Sequence, residues 1–312
     1  MRAFIFPGQG SQAVGMGKDL AAASAAAKAV FQEVDEALGQ NLFRLMCEGP
    51  EEELTLTANA QPAIMANAVA TLRVMEAEGG AKLADKARFV AGHSLGEYTA
   101  LCAAGALDLA TTAKLLKLRG SAMQAAVPVG IGAMAALLGA DIAKAESLAE
   151  AAAQGEICCV ANDNDPSQVV ISGHIGAVDR AIALTKDYGI KRGIKLPVSA
   201  PFHCPLMQSA AAVMADALAD ILIHAPCVPL YANVTAAPVS DPAIITAQLV
   251  EQVTGRVRWR ESIGAMAAAG VTEFVELGGK LLCPMVKRSA GDGVSAASII
   301  TMDDMEALLK QL

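Results

Sequence analysis

Gly92-His93-Ser94-Leu95-Gly96 lies between a mainly apolar run at 88–91 and a run of helix-forming residues at 97–104. The order strand, G-x-S-x-G, helix is typical of a nucleophile elbow, a turn so tight that the serine backbone is strained. A Cβ atom at either glycine would collide with the neighbouring strand or helix. The pattern alone is loose, and a chance match in a chain rich in glycine and alanine is the alternative. The flanking strand and helix favour the elbow, which would hold the Ser94 hydroxyl at the mouth of a sheet.

The composition indicates a globular protein with an ample core. The chain has 312 residues, of which 54% are hydrophobic and 18% charged, so disorder is excluded. The formal net charge is −8, whereas nucleic-acid binding usually needs an excess of lysine and arginine. We therefore expect no nucleic acid as a partner, and an acidic partner would need a local basic patch.

The cysteines and the apolar segments predict a cytoplasmic protein. The seven cysteines show neither C-x-x-C nor metal-ligand spacing, which is typical of reduced thiols, and we expect no metal site. The apolar start at 1–7 is too short for a signal peptide. The longest uncharged stretch, 120–140, contains Pro128 and several glycines. A buried strand with its approach loop fits that stretch better than a membrane span, so we expect no membrane partner.

The order of the predicted elements divides the chain into two domains. Between 128 and 198 the apolar patterns indicate strand, helix, strand, strand, helix, strand, which is the ferredoxin-like order. This block interrupts a chain of alternating strands and helices that resumes after Pro201. We predict an α/β fold. Its large α/β-hydrolase-like domain, 1–127 and 199–312, has a parallel sheet, and a ferredoxin-like domain, 128–198, is inserted into it.

The periodicity of apolar residues also predicts helices over 18–38, 60–78 and 205–223. Pro62 is expected at an early position of the second of these helices, where its missing N–H costs nothing. His224 is expected at the C-terminal end of the third.

The first predicted strand is followed by the loop Pro7-Gly8-Gln9-Gly10-Ser11-Gln12. Gly8, Gly10 and Ala13 also fit the dinucleotide fingerprint G-x-G-x-x-A. Two features weaken that alternative. A proline stiffens the turn, and no acidic residue ends a second strand about twenty residues further on.

A serine hydroxyl needs a base to remove its proton, and imidazole is the usual one. Of the four histidines, His203 is the strongest candidate because it stands in a rigid loop between two prolines. His93 adjoins the serine, but neighbouring side chains in so tight a turn point apart. His174, at the start of a helix in the inserted domain, is expected to have a surface role, and His224 is expected to be structural. No acidic residue stands out as a third member, so a backbone carbonyl could orient the imidazole of a Ser94–His203 dyad.

Four segments follow one another along the chain: Phe6-Pro7-Gly8-Gln9-Gly10-Ser11-Gln12, Gly92-His93-Ser94-Leu95-Gly96-Glu97-Tyr98, Arg119 and Pro201-Phe202-His203. In this combination they resemble the malonyl-CoA:acyl carrier protein transacylases of fatty-acid synthesis. The resemblance covers essentially the whole chain, including the inserted domain. It implies an acyltransferase without a cofactor, whose substrates are the thioesters of CoA and phosphopantetheine.

The resemblance implies a role for each matching residue of the reaction centre. Ser94 would be the nucleophile that becomes malonylated, and His203 would be its general base and later acid. The backbone N–H groups of Gln9 and Leu95 would form the oxyanion hole, which explains the first loop better than a nucleotide does. Gln252 would orient His203 through its backbone carbonyl, consistent with the missing acid.

Other matching residues would bind the substrate. Arg119 would hold the free carboxylate of the malonyl group, because a guanidinium grips a carboxylate with two parallel hydrogen bonds and stays charged when buried. His93 and Asn162 would line the substrate cleft. Phe202 would leave little room for an α-methyl group, as in the malonyl-selecting members.

The implied reaction is a ping-pong transfer. Malonyl passes from malonyl-CoA to the serine and then to the phosphopantetheine thiol of acyl carrier protein, which supplies malonyl-carrier for fatty-acid synthesis. Two other functions stay open. A serine hydrolase or thioesterase would use the same elbow and histidine without needing Arg119, and a docking module for a carrier protein would need no catalysis.

Acyl carrier proteins are strongly acidic and would dock transiently, so this acidic chain would need a basic patch. One candidate cluster comprises Lys186, Lys191, Arg192 and Lys195. A second comprises Arg256, Arg258, Lys280, Lys287 and Arg288. Ordinary solvated charges are the alternative for each cluster.

Overall fold

The computed structural model describes residues 1–198 and 200–312. Its strands are, in chain order, β1 (Arg2–Phe6), β2 (Phe89–Gly92), β3 (Gly132–Leu138), β4 (Cys158–Asp165), β5 (Gln168–His174), β6 (Arg192–Lys195), β7 (Leu230–Ala232), β8 (Ala237–Val239), β9 (Glu273–Leu277) and β10 (Ser295–Ile299). Its helices are α1 (Lys18–Ala23), α2 (Ala25–Leu38), α3 (Leu42–Glu48), α4 (Glu51–Thr55), α5 (Thr57–Ala77), α6 (Leu83–Lys86), α7 (Gly96–Ala103), α8 (Leu109–Ala125), α9 (Ile142–Ala153), α10 (Ile175–Leu184), α11 (Gln208–Ala219), α12 (Pro242–Glu251), α13 (Trp259–Ala268), α14 (Cys283–Ala290) and α15 (Met302–Leu309). A turn of 3₁₀ helix, Pro205–Met207, precedes α11. Within these described ranges, no helix is both long enough and apolar enough to cross a bilayer.

The larger sheet is mainly parallel and is buried on both faces. In the described part of the chain its strand order is β10-β9-β1-β2-β7-β8, and only β8 runs antiparallel to its neighbour. Alternate residues of β1 face two different apolar clusters: Phe4 and Phe6 pack into one, and Ala3 and Ile5 into the other. Core on both sides explains why this strand is apolar throughout instead of alternating with polar residues.

The carboxyl ends of the central strands bring distant segments together. Phe6 at the end of β1 pairs with Gly92 at the end of β2, so the first loop and the elbow leave the sheet side by side. Strand β7 pairs with the other edge of β2, and Asn233 directly follows it. Ligand sites of parallel α/β sheets form at this edge.

The part of the chain between α8 and the 3₁₀ turn forms a separate antiparallel sheet. Among the described residues its order is β4-β5-β3-β6, with α9 and α10 packed on it around a third apolar cluster. The elements follow the predicted β-α-β-β-α-β order. The α/β fold class with two sheets is therefore confirmed. The domain boundaries at 127/128 and 198/199 stay a prediction, and residue 199 itself lies outside the described residues.

The predicted start of the helix at 60–78 is wrong. Helix α5 begins at Thr57, so Pro62 lies inside it and has no N–H to donate to the carbonyl of Ala58. Leu56, with φ −54° and ψ +129°, separates this helix from α4, and no side chain caps the helix start. A capping side chain is the usual local sign of a helix start. Since none is present here, Pro62 was the remaining signal, and it wrongly indicated a start at residue 60.

The helix predicted over 18–38 is interrupted at Ser24. This residue is extended, and its hydroxyl accepts a hydrogen bond from the N–H of Ala27, which caps α2. The apolar periodicity continues through the break, so it could not reveal it.

The helix predicted over 205–223 ends at Ala219, and His224 is therefore not at a helix end. Ile223 is buried outside the helix, which explains why the apolar pattern runs on beyond the last turn. The backbone N–H of His224 donates to the carbonyl of Ala106.

Candidate active site

The turn between β2 and α7 places Ser94 at the carboxyl edge of the larger sheet. Ser94 has φ +54°, in the left-handed region that side chains other than glycine rarely adopt. A Cβ at Gly92 would lie 1.8 Å from the carbonyl oxygen of Gly96, and one at Gly96 would lie 2.3 Å from that of Phe6. The elbow geometry is therefore present, and both glycines are required by close backbone contacts.

Two side-chain amides hold the backbone of Ser94, one at its N–H group and the other at its carbonyl oxygen. Asn233 Oδ1 accepts a hydrogen bond from the Ser94 N–H at 2.8 Å. Gln252 Nε2 donates to the Ser94 carbonyl oxygen at 2.9 Å. Asn233 also donates through Nδ2 to the carbonyl of Gly92 at 2.7 Å. These bonds over-determine the strained turn and explain how it persists.

The imidazole of His203 lies directly beside the Ser94 hydroxyl. Its Nε2 is 2.7 Å from Ser94 Oγ, and its Nδ1 is 2.9 Å from the carbonyl oxygen of Gln252 and 3.1 Å from that of Gly255. Because a carbonyl can only accept, Nδ1 carries the proton and Nε2 is left to accept the serine proton. Across 1–198 and 200–312, no carboxylate is hydrogen-bonded to this ring. The geometry is that of a dyad oriented by backbone carbonyls.

The environment of His203 keeps its imidazole neutral. Burial, and secondarily the Arg119 guanidinium, lower the pKa of His203 to about 3, although its hydrogen bonds to the two carbonyls act in the opposite direction. The ring is therefore unprotonated at neutral pH and ready to act as a base.

Arg119 projects from α8 into the site as a buried cation. Its side chain is 1% exposed, and Nη2 donates to Ser94 Oγ at 3.1 Å and to Gln252 Oε1 at 2.8 Å. Burial lowers the pKa of Arg119, but a guanidinium stays protonated in a protein interior. The nucleophile thus has a base on one side and a fixed positive charge on the other.

Close packing of two helices sets the direction of this arginine. A Cβ at Gly120 would lie 2.5 Å from the carbonyl oxygen of Thr57, so only glycine allows α8 to approach α5 this closely. At this contact Nη1 of Arg119 donates to Gln61 Oε1 on α5 at 2.9 Å. The guanidinium is therefore anchored at Nη1 by Gln61 and at Nη2 by Gln252.

The first loop passes against the elbow and presents a free N–H group. A Cβ at Gly8 would lie 2.8 Å from the carbonyl oxygen of His93. The backbone N–H groups of Gln9 and Leu95 donate to no acceptor within the described residues. Both residues line the same cavity as Ser94. Two unclaimed N–H groups beside a nucleophile are the arrangement that an oxyanion hole requires.

The dinucleotide interpretation of the first loop is wrong. In that fingerprint the glycines open a helix immediately after the strand. Here α1 begins only at Lys18, and Gly8 lies against the elbow instead.

A cavity of about 310 Å³ lies between the elbow and the smaller sheet. Its lining includes these predicted site residues: Gln9, His93, Ser94, Leu95, Arg119, Asn162, Phe202 and His203. Gln252 is fully buried behind this lining and reaches the others by hydrogen bonds. The structure thus brings every predicted site residue to one place.

His93 connects the elbow to the smaller sheet. Its Nε2 lies 2.8 Å from Asn164 Oδ1, and its ring meets the edge of Trp259 with centroids 5.6 Å apart. Burial lowers the pKa of His93. Asn162, next to a register shift in β4, forms a parallel bridge with Val257. Both residues border the cavity, and in the described part of the chain neither is hydrogen-bonded to the Ser94 hydroxyl.

Sequence reasoning missed four polar residues that hold the site: Gln61, Glu97, Asn164 and Asn233. Two of them carry a signal in the sequence. Gln61 is a polar residue inside the long apolar helix α5, and Asn233 stands where a strand ends. Glu97 stands in the helix-forming run after the elbow, and Asn164 stands in the polar run 162–165, which is typical of a turn although it belongs to β4.

Comparison with known proteins finds relatives over nearly the full length. A family model described as "Acyl transferase domain" matches residues 3–302. The malonyl CoA-acyl carrier protein transacylase of Escherichia coli (strain K12) is 44% identical over 309 residues, covering 99% of this chain and 98% of that protein. The crystal structure of an acyl-carrier-protein-S-malonyltransferase from Bartonella henselae is 50% identical with a TM-score of 0.96, covering 99% and 98% of the two chains. A structure of a type II PKS acyl-carrier protein in complex with its malonyl-transacylase matches at 39% identity and a TM-score of 0.95, covering 100% of this chain and 99% of that one.

Proposed function

This chain belongs to the acyl transferase family, and we propose that it transfers a malonyl group from malonyl-CoA to the phosphopantetheine thiol of acyl carrier protein. The names of its relatives support this substrate and acceptor. The observation that carries the proposal is the 3.1 Å contact between Arg119 Nη2 and Ser94 Oγ. A buried cation touching the nucleophile suits an acyl group that has its own carboxylate, and hydrolysis of a simple ester needs no such cation.

In the first half-reaction Ser94 attacks the thioester carbonyl carbon of malonyl-CoA. The bond from Oγ to carbon forms, His203 Nε2 takes the hydroxyl proton, and the carbon–sulfur bond breaks. The proton then passes from His203 to the departing sulfur, so CoA leaves as a thiol and a neutral imidazole remains. The 2.7 Å separation of Oγ and Nε2 places this transfer within hydrogen-bond reach.

The negative charge that develops on the carbonyl oxygen needs donors that are already in position. The unclaimed N–H groups of Gln9 and Leu95 supply them, and removing a single such donor typically costs about 10²–10³-fold in turnover. In this proposal the malonyl carboxylate replaces Ser94 Oγ as an acceptor from Arg119 Nη2 and also accepts from the second N–H of Nη1. Gln61 and Gln252 hold that guanidinium in place.

The rest of the cavity wall limits what else fits. His93 and Asn162 border the acyl group, and Phe202, which is 7% exposed, narrows the space next to His203. Exclusion of an α-methyl group by such a ring is worth about 1–3 kcal/mol, so selection for malonyl over methylmalonyl is partial.

In the second half-reaction the thiol of phosphopantetheine replaces CoA. His203 removes its proton, the sulfur attacks the malonyl ester, and Oγ regains a proton as the ester bond breaks. The product is malonyl-acyl carrier protein, which supplies fatty-acid synthesis. The reaction uses no further cofactor, and we assign it to the cytoplasm.

The test is the intact mass of the protein after mixing with malonyl-CoA. We expect an adduct of about 86 Da, the mass that a malonyl ester adds, on the parent chain and none on Ser94→Ala. Adding a holo-acyl carrier protein should move the adduct to the carrier.

Two outcomes would overturn the proposal. Release of free malonate as the main product, even with excess carrier, would identify a hydrolase. Unchanged malonyl exchange in Ser94→Ala would place the chemistry elsewhere and leave a docking module as the better interpretation.

A further inference from the structure

Glu97 is a buried carboxyl group in the first turn of α7 with no part in the reaction as described so far. Its side chain is 1% exposed. Oε2 accepts two hydrogen bonds, from Gln252 Nε2 at 2.9 Å and from the backbone N–H of Asn233 at 3.0 Å. Oε1 has no hydrogen-bond partner in the part of the chain that the structure describes. A buried carboxyl group is costly, so its retention at this place calls for a reason.

The two donors to Glu97 are the residues that hold the Ser94 peptide. Asn233 accepts from the Ser94 N–H, and Gln252 donates to the Ser94 carbonyl. One oxygen atom, Glu97 Oε2, therefore accepts hydrogen bonds from both of the residues that hold the strained backbone of Ser94.

Gln252 extends this network to the base and to the cation. Its backbone carbonyl accepts from His203 Nδ1, and its side-chain Oε1 accepts from Arg119 Nη2. Its Nε2 is divided between the Ser94 carbonyl and Glu97 Oε2. The orientation of this amide depends on Oε2, because without that acceptor only one partner fixes the Nε2 end.

We propose that Glu97 is a positioning residue for the reaction: its carboxyl oxygen Oε2 holds Asn233 and Gln252, and through them the Ser94 peptide, the His203 imidazole and the Arg119 guanidinium. Its effect on malonyl transfer rests on the function proposed above, but its effect on Ser94 does not.

The hydrogen bonds carry this role, and a full negative charge is not needed for it. Burial raises the pKa of Glu97 to about 7, although the bonds from Gln252 and Asn233 and the nearby Arg119 act in the opposite direction. Besides Arg119, the phenol of Tyr98 also lies near this carboxyl group. A proton on Oε1 leaves Oε2 free to accept both bonds. A neutral side-chain amide with its oxygen in the same place should therefore accept the hydrogen bonds from Asn233 and Gln252 equally well.

Three variants separate the position of the acceptor from its charge. Glu97→Gln keeps an oxygen at the same reach and removes the charge. Glu97→Asp keeps the charge and withdraws the oxygen by one methylene. Glu97→Ala removes both. Asp165→Asn is the matched control, because Asp165 is an equally buried carboxylate that pairs with Arg288 outside the cavity.

The readout is the second-order rate constant for labelling Ser94 with a fluorophosphonate. Oγ forms a bond to phosphorus, the P–F bond breaks, fluoride leaves and His203 takes the proton. This reaction needs the nucleophile, the base and the oxyanion hole but neither malonyl nor CoA. The value of kcat/KM for malonyl-CoA is measured alongside, and the melting temperature reports folding.

We expect Glu97→Ala and Glu97→Asp to label at least about tenfold more slowly than the parent, because small displacements of reacting groups have large effects on rate. Glu97→Gln should stay within about threefold, and Asp165→Asn should match the parent even if its melting temperature falls. Labelling of folded Glu97→Ala at the parent rate would overturn the proposal. If Glu97→Ala does not fold, the comparison of Glu97→Asp with Glu97→Gln decides. Faster labelling of Glu97→Asp than of Glu97→Gln would overturn the proposal. Normal labelling of the parent without malonyl transfer would instead contradict the proposed function alone.

Discussion

The carbonyl oxygen of Gln252 lies 2.9 Å from Nδ1 of His203, in the place where a serine triad has a carboxylate. A carbonyl holds the tautomer as a carboxylate does, but it adds no negative charge to stabilise an imidazolium. The ring of His203 is instead 3% exposed, and the cation of Arg119 is nearby. The base of this site is therefore oriented without being made more basic.

The first prediction concerns the pH dependence of the nucleophile. Because burial and Arg119 lower the pKa of His203 to about 3, the base stays unprotonated as the pH falls from 8 to 5. The rate of fluorophosphonate labelling should therefore lack the decline near pH 6.5 that an ordinary histidine produces. Arg119→Ala removes the cation and admits water, so its acid limb should move upward towards 6.5. Glu97→Gln is the background for this measurement, because the carboxyl group of Glu97 titrates at about 7. If the labelling rate of Glu97→Gln, with Arg119 intact, falls to half its maximum near pH 6.5, the prediction is contradicted.

The second prediction concerns the substrate carboxylate. Arg119→Ala should lower kcat/KM for malonyl-CoA by roughly 10²-fold or more, since loss of one partner of a buried charge pair costs about 2–5 kcal/mol. Acetyl-CoA lacks the carboxylate, so its much lower rate should change far less. The ratio of the two rates, measured by thiol release, is the informative quantity. An equal loss for both thioesters would mean that Arg119 serves the serine and not the acyl group.

The third prediction concerns the glycines of the elbow. In Gly92→Ala the new Cβ would lie 1.8 Å from the carbonyl oxygen of Gly96 and 2.4 Å from the backbone nitrogen of Glu97. We expect the free energy of unfolding to fall by about 3 kcal/mol or more, or the turn to open and labelling of Ser94 to disappear. The matched control is Gly264→Ala in α13, where a Cβ would meet no atom within 4 Å. That change should be neutral or stabilising in urea unfolding, because alanine favours a helix. Parent-like stability and labelling in Gly92→Ala would show that the contact is not limiting.

The fourth prediction concerns docking of the acidic carrier. In the second cluster the three arginines are paired with carboxylates: Arg256 with Glu146, Arg258 with Glu261 and Arg288 with Asp165. In the first cluster, Lys191 and Arg192 have no ion pair within the described residues. They precede Leu196, which lines the cavity.

Charge reversal at Lys191 and Arg192 should therefore raise KM for the carrier several-fold at low salt and leave malonylation of Ser94 unchanged. The double change of Lys280→Glu and Lys287→Glu in the second cluster alters the net charge by the same amount and is the control. A larger effect of that double change would assign docking to the second cluster.

The local parts of the site could be predicted from the sequence because short patterns specify them. The elbow needs two glycines around Ser94 for steric reasons, and His203 stands in a rigid loop between two prolines. The smaller sheet is recognisable for the same reason, since both of its helices and its strands β3 and β5 lie in local apolar patterns. In each case the information lies within a few neighbouring residues.

The parts that could not be predicted depend on contacts between distant segments. Asn233 reaches Ser94 only because β7 pairs with β2, and Gln61 reaches Arg119 only because α5 packs against α8. The sequence around Glu97 is that of an ordinary helix. Only the folded structure shows that Gln252 lies beside its carboxyl group. The start of α5 was missed for a related reason, because packing stabilises that helix and no cap marks it.

Both reacting residues occupy backbone conformations that suit glycine better than themselves: φ is +54° at Ser94 and +56° at His203. Such conformations cost about 1–3 kcal/mol each. Glycine at either position would relieve this backbone strain, but it would remove the nucleophile or the base. Selection for thermal endurance and selection for turnover therefore oppose each other at these two positions, and screens that reward folding alone will tend to erase the enzyme.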